Sequence, residues 1–295
     1  MDPVDTSKIT IDTLTLPVLK EKKISLQVLR LDKIHPLISG NKWFKLRYYL
    51  EEAKRQDKKN LVTFGGAWSN HILATAAAAQ SYQFSSTGII RGEQPANYSS
   101  TLLKARSLGM NFIFLKREEY KLKQLPSFLM NDRDSYIIPE GGYGENGAAG
   151  ASTIEEFCKG TSYTHICCAA GTGTMLAGLL RFRNPAAILG ISVLKNNCQL
   201  GKNIDEITSV NKVPVIVHDY HFGGYAKYTN DLLSFMNNFY KDAGIPSDFV
   251  YTGKLFYGVF DLIEKNSFPA GSHILVIHSG GLQGNESLDK GTLIF

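Results

Sequence analysis

Short apolar runs separated by alanine-rich or mixed stretches set the rhythm of the chain from residue 61 onward. LVTFG at 61–65 reads as a strand and HILATAAAAQ at 71–80 as a helix, because alanine and leucine favour helix most strongly. TGII at 87–90, NFIFL at 111–115 and SYIIP at 135–139 read as further strands, with a helical stretch ending near Leu108-Gly109. A second series follows: YTHICCAA at 163–170, a helix over about 174–183, AILGISVL at 187–194, VPVIVHD at 213–219 and SHILVIHS at 272–279. These runs are continuously apolar rather than alternating, which suits strands covered on both faces. Strand, helix, strand, repeated this often, predicts an α/β chain with two open, mainly parallel twisted sheets flanked by helices. The glycine-rich PEGGYGENGAAG at 139–150 interrupts the series and is read as the passage between two domains. The smaller domain is expected at 46–135, and the larger is expected to combine 1–45 with 136–295. No low-complexity segment or repeat stands out.

Composition narrows the classes. The 295 residues suffice for a sizeable core, and 43% hydrophobic with 20% charged residues is ordinary for a globular protein. The net charge of +5 comes from scattered Lys and Arg with no basic tract interleaved with aromatics, which argues against nucleic acid. The opening MDPVDTSKIT is polar and acidic, and no run approaches the roughly twenty apolar residues of a membrane span, so no membrane association and a cytoplasmic location are expected. Cys158, Cys167, Cys168 and Cys198 form no CxxC pair, and neither a metal site nor a disulfide framework follows from them.

Candidate chemistry gathers in four glycine-punctuated segments: SGNKWFKL (39–46), GGAWSNH (65–71), AAGTGTMLAGL (169–179) and HSGGLQG (278–284). Three follow directly on an expected strand, and ligands of open α/β sheets bind at the carboxyl ends of strands. Gly171-Thr172-Gly173-Thr174 leads from strand to helix, so backbone N–H groups there can hold a phosphate; a ligand-free tight turn is the alternative. The spacing is neither GxGxxG nor a Walker A loop, so a phosphate monoester fits better than a dinucleotide or triphosphate. Ser69 and Asn70 can cap the alanine-rich helix or bind a carboxylate. Lys42 and Lys45 lie one turn apart, as at any amphipathic helix start, but apolar Trp43 and Phe44 and the second cation would favour an uncharged amine. His278 suits a structural hydrogen bond, whereas Ser279 at the end of its strand faces the ligand crevice. No GxSxG elbow exists.

In order and spacing, these segments resemble the pyridoxal 5′-phosphate (PLP) dependent family of D-cysteine desulfhydrase and 1-aminocyclopropane-1-carboxylate (ACC) deaminase, within the tryptophan synthase β-like superfamily of fold type II. The resemblance runs from about residue 30 to 284: Gly40-Asn41-Lys42 with Lys45-Leu46, Gly65-Gly66, Ser69-Asn70-His71, the GTGT loop, Phe222-Gly223-Gly224-Tyr225, Val250-Tyr251-Thr252-Gly253-Lys254 and His278-Ser279-Gly280-Gly281. It implies PLP in the interdomain cleft, a small amino-acid substrate and a homodimer. Lys42 would be the Schiff-base lysine and Lys45 a phosphate contact, with Gly171, Thr172, Gly173 and Thr174 around the phosphate. Asn70 would bond the cofactor's 3′-oxygen, and Ser69 would meet the substrate carboxylate and serve in proton transfer. His71, Tyr225 and Tyr251 would lie at the substrate, Tyr251 among the catalytic groups.

The chain departs from the ACC deaminases at the ring nitrogen. They carry a glutamate after the tyrosine matched by Tyr251 and a leucine in place of Ser279; here Thr252 and Ser279 stand, as in desulfhydrase-like members. A carboxylate would favour a protonated pyridinium and a strong electron sink, whereas hydroxyls leave the nitrogen closer to neutral. ACC has no Cα hydrogen and needs the strong sink; losing a thiolate needs less. The expectation is therefore α,β-elimination, D-cysteine favoured, giving pyruvate, ammonia and sulfide. ACC deamination, racemisation and non-enzymatic anion binding are the alternatives. The family's Lys-Arg-Glu-Asp run appears here only as Leu29-Arg30-Leu31-Asp32.

Overall fold

The computed structural model describes residues 4–208 and 210–295; the first three residues of the amino-terminal segment lie outside them. In chain order the regular elements are β1 (Ile11–Leu14), α1 (Pro17–Glu21), β2 (Ser25–Arg30), α2 (Asn41–Arg55), β3 (Asn60–Gly65), α3 (Asn70–Ser81), β4 (Ser85–Arg91), α4 (Ser100–Ser107) and β5 (Met110–Leu115). Then come α5 (Arg117–Lys121), α6 (Ser127–Met130), β6 (Ser135–Ile138), α7 (Glu145–Ser152), β7 (His165–Ala170), α8 (Thr174–Leu180) and β8 (Ala187–Ser192). The last are α9 (Leu200–Asp205), β9 (Val215–Val217), α10 (Asn230–Ala243), α11 (Thr252–Glu264) and β10 (His273–His278).

Two sheets result, as the apolar runs predict. One has the order β5-β4-β3-β6 and is parallel throughout; the other has the order β1-β2-β10-β7-β8-β9 and is parallel except where β1 meets β2. Strand β6 pairs with β3 from Ser135, which carries the smaller sheet past residue 135 to Ile138. One buried cluster, including Phe44, Leu61, Ala77, Ile166 and Leu176, runs through both halves, so the sheets share a core. Outer clusters around Ile72 and Val62 belong to the smaller sheet, and another around Val276 and Phe256 backs the larger.

The glycine-rich passage from β6 to β7 is a packed element as well as a connection. Helix α7 lies backbone to backbone on α2: a Cβ on Gly150 would collide with the Phe44 carbonyl oxygen, and one on Gly147 with the Gly142 carbonyl. Gly178 of α8 packs just as closely on Ala151. Close-packed interiors leave no slack at such contacts, so the small residues of GENGAAG are what let three helices meet.

Some elements escaped the run-by-run reading, and one that it named proved shorter. Strands β1 and β2 precede residue 61 and have mixed burial, and β1 is an antiparallel edge strand. VPVIVHD yields only Val215–Val217 at the opposite edge, where Val213 and Val215 are exposed and Pro214 lacks an N–H. Helix α10 buries Leu232, Met236 and Phe239 at helical spacing, with Thr229 capping its start and Gly244 its end.

Candidate active site

Backbone contact fixes the position of the lysines. Gly40 adopts a φ of 58°, and a Cβ there would overlap the Ser279 carbonyl oxygen. Asn41 N–H donates to that same oxygen at 3.1 Å, so the first turn of α2 is pinned to the end of β10. Lys42 then lines a cavity with Lys45, Asn70, Gly171, Thr172, Gly173, Tyr251 and Ser279, about 600 Å³ of space that is partly open to solvent. Lys42 is half-buried and, among the described residues, its amine has no hydrogen bond or ion pair. Burial lowers its pKa to about 8 against the opposing pull of the Asp248 charge. Lys45 is buried, and burial followed by the charge on Lys42 pushes it well below the usual lysine range.

The GTGT segment forms the facing wall. Gly173 caps α8 with a φ of 92°, and a Cβ there would press on Ile204 at 2.8 Å. The N–H groups of residues 171–174 donate to no acceptor within the described protein, while Asn197 Nδ2 holds the Gly171 carbonyl at 3.1 Å. Thr172 and Thr174 hydroxyls lie 3.0 Å apart. An array of free amides beside the amines of Lys42 and Lys45 is a setting for an anion.

The smaller sheet contributes the other wall through the turn after β3. Ser69 caps α3, its oxygen accepting from Ile72 N–H at 3.4 Å, and also lines the adjoining chamber with Asn70, His71 and Tyr225. Asn70 Nδ2 donates to the Gly281 carbonyl at 3.4 Å, and its Oδ1 is buried without a partner. His71 sits behind. The Ile138 carbonyl can only accept, so Thr63 gives its one hydroxyl proton there (2.8 Å) and accepts from His71 Nε2–H (2.8 Å). That tautomer leaves His71 Nδ1 as a buried, unpartnered acceptor. Burial, with help from both lysines, pushes the His71 pKa well down, so the ring is neutral at neutral pH. Tyr251 packs on Gly171, with the Tyr225 ring 6.2 Å away, and burial raises both phenols.

Two expected groups part company. Ser279 lines the cavity. Thr252 is fully buried and absent from both chamber walls: its hydroxyl donates to Asp248 Oδ2 at 2.6 Å and accepts from Asp248 N–H at 2.8 Å. Asp248 was missed by sequence reasoning. Its buried carboxylate also accepts from the N–H groups of Val250, Tyr251 and Thr252, holding the start of α11, and burial raises its pKa. An aspartate just ahead of VYTGK is a helix-start signal that could have flagged it. Arg91 and Glu140, at the ends of β4 and β6 on the wall of the second chamber, were missed too, although the strand-end rule points to both positions. His278 is structural, donating from Nε2 to the Pro246 carbonyl at 2.6 Å and accepting from Gly280 N–H at 3.2 Å. Arg30 forks onto Asp32 (2.8 and 2.7 Å), giving the Leu29–Asp32 run a structural task.

An α/β chain whose strand ends frame a depressed lysine and an open amide loop is an enzyme of the pyridoxal phosphate class. The chain belongs to the family described as "Pyridoxal-phosphate dependent enzyme", which matches residues 12–280. Within it, the chain groups with the ACC deaminase and D-cysteine desulfhydrase-like proteins of fold type II. A Pyrococcus furiosus protein named "Putative 1-aminocyclopropane-1-carboxylate deaminase" is 30% identical over 84% of this chain and 82% of its own length. The Arabidopsis thaliana "Bifunctional D-cysteine desulfhydrase/1-aminocyclopropane-1-carboxylate deaminase, mitochondrial" is 28% identical over 84% of this chain and 70% of its own. A solved structure described as "the ACC deaminase homologue" superposes with a TM-score of 0.83 at 28% identity, covering 94% of this chain and 90% of that one. Among the described residues no helix is long and apolar enough to cross a membrane.

Proposed function

We propose that the chain catalyses α,β-elimination from a small amino acid, D-cysteine favoured, with PLP held on Lys42. The residues present fit that cofactor: a lowered amine without a protein partner, Asn70 with its unpartnered amide oxygen, and the free amides of Gly171, Thr172 and Gly173 belong to the lining of one cavity. Asn70 would meet the 3′-oxygen, Lys45 and Gly171, Thr172, Gly173 and Thr174 the phosphate, and Ser279 the ring nitrogen. When bound, PLP supplies the electron sink for the charge left on Cα as a bond there breaks.

The protein's own groups do the rest. An amine with a pKa of about 8 is partly uncharged near neutral pH and can take the Cα proton. Ser69 and the free N–H groups of the α3 first turn suit the substrate carboxylate. Burial keeps the Tyr251 phenol protonated and able to donate.

The observation that carries elimination over ACC deamination is the wall of the cavity that Lys42 shares with Gly171–Gly173 and Ser279, which offers the Ser279 hydroxyl and, among the described residues, no carboxylate; Glu140 lines the adjoining chamber, away from Ser279. Thr252 adds nothing to that argument, being spent on Asp248. ACC deamination stands as a second reading because the relatives' names support it equally. Incubation with D-cysteine, ACC and D-serine, assaying keto acid, separates the readings: turnover of D-cysteine without ACC supports elimination, and turnover of ACC alone sinks it. We also propose a homodimer, for which light scattering should return twice the 32.6 kDa chain mass.

A further inference from the structure

The reaction cavity does not end at Tyr225 and Tyr251. Both residues, with Gly66, Asn70 and Arg91, are shared between the chamber beside Lys42 and a further one of about 820 Å³ of empty space. The walls of this outer chamber are aromatic and apolar: Trp68, Tyr228, Phe249, Val250 and Leu288. Trp68, Tyr225 and Tyr228 remain 38%, 39% and 45% exposed, a concentration of apolar ring surface that burying a ligand would reward. Tyr228 is already braced at right angles against Phe249, ring centroids 5.3 Å apart, so its ring is held in place. Arg91 stands at the junction. Among the described residues its guanidinium pairs with no carboxylate, although Glu140 on the same wall is paired with Lys123. A bare cysteine thiol is too short to use any of this.

We propose that the outer chamber receives the substrate's β-substituent, so that the enzyme cleaves S-substituted cysteines carrying an aromatic or large apolar group on sulfur, with Arg91 facing the departing thiolate. The proposal rests on the elimination reading and specifies its substrate class. The overall change is R–S–CH2–CH(NH3+)–COO− plus water to R–SH, pyruvate and ammonium. The Cα–H and Cβ–S bonds break, the Cβ–S electron pair leaves on sulfur, which takes a proton, and water hydrolyses the remaining enamine to keto acid and ammonium. No oxidant or reductant is needed. Arg91 stabilises the negative charge on sulfur as it develops.

Gly284 gives a clean test. It lines only the outer chamber, its φ is not in the left-handed region, and a Cβ there would meet only Val250 at 3.6 Å. The PLP-loaded wild type, Gly284→Leu and Tyr228→Ala should be compared on cysteine and S-phenylcysteine, both enantiomers of each, measuring pyruvate and released thiol. Tyr228→Ala removes an exposed ring and so keeps the fold available if the leucine variant misfolds. The wild type should cleave S-phenylcysteine with a kcat/KM at least equal to that on cysteine. The S-phenylcysteine to cysteine ratio should fall roughly tenfold in Gly284→Leu and about fivefold in Tyr228→Ala. Turnover of cysteine without S-phenylcysteine, or a ratio unmoved by both variants, overturns the outer-chamber assignment and leaves the elimination reading standing. A protein that carries PLP on Lys42 yet turns over neither compound overturns both.

Discussion

The wall built by the six-stranded sheet and α2 is made of backbone, whereas the wall built by the four-stranded sheet is made of side chains. On the first, Gly40, Gly173 and Gly281 hold left-handed φ values of 58°, 92° and 100°, and a Cβ on any of them would collide with or crowd a neighbour. On the second, Ser69, Asn70, His71, Arg91 and Glu140 project from the ends of β3, β4 and β6. The difference separates two tasks. Gripping a phosphate and placing one amine calls for fixed main-chain geometry that only glycine permits. Choosing a substrate calls for side chains that can change without disturbing that grip.

If this division holds, variants on the two walls should differ in what they lose. Lys42→Ala should abolish the visible absorbance of lysine-bound PLP and lower turnover by about a thousandfold or more. Retention of that absorbance in the variant would refute the assignment of Lys42. Ser69→Ala should keep the absorbance while kcat/KM falls roughly 10–100-fold, and should cost about 1 kcal/mol of stability through the lost α3 cap. Ser69→Asn should restore the melting temperature but not the activity; if it restores both, Ser69 is only a cap.

Much of this arrangement was legible beforehand, and what was not has identifiable causes. Continuous apolar runs mark β3, β4, β5, β6, β7, β8 and β10, and VPVIVHD marks β9 over a longer span than the three residues that pair, while β1 and β2, with mixed burial, leave no such trace. Glycine spacing exposed the GTGT turn and the HSGG segment because their function is in the backbone. The glycines of GENGAAG were read as a passage only, since nothing in one sequence says that Gly150 faces Phe44 across α2. Asp248 and Arg91 are single charged residues in unremarkable surroundings, and only the fold reveals one as buried among the helix-start amides and the other as lying over the Tyr120 ring at a chamber junction, with no carboxylate partner among the described residues.

The pH response sharpens the first wall's task. An amine with a pKa of about 8 is roughly one-tenth uncharged at pH 7, whereas an ordinary lysine is uncharged only about once in a few thousand. Capture of PLP by the apoprotein should therefore quicken about tenfold from pH 6 to pH 7 and level off above about 8. A rate still climbing at pH 10 would mean that burial does not lower this lysine.

The smallest effects separate Thr252 from Ser279, two hydroxyls that the sequence presents as equals. Thr252 is bonded twice to Asp248, so Thr252→Val strips one donor from a buried carboxylate and should cost about 1–3 kcal/mol, read as a lower melting temperature even without PLP. Ser279 has no side-chain hydrogen bond among the described residues and faces the cavity, so Ser279→Ala should leave the apoprotein's melting temperature unchanged within about 0.5 kcal/mol. Its cost should fall on the holoenzyme instead, as a reduction of a few-fold in kcat from one neutral hydrogen bond worth about 1 kcal/mol. The reverse pattern, with Thr252→Val altering turnover at constant stability, would mean that Thr252 turns its hydroxyl from Asp248 to the cofactor, and that the ring nitrogen is governed from α11 rather than from the end of β10.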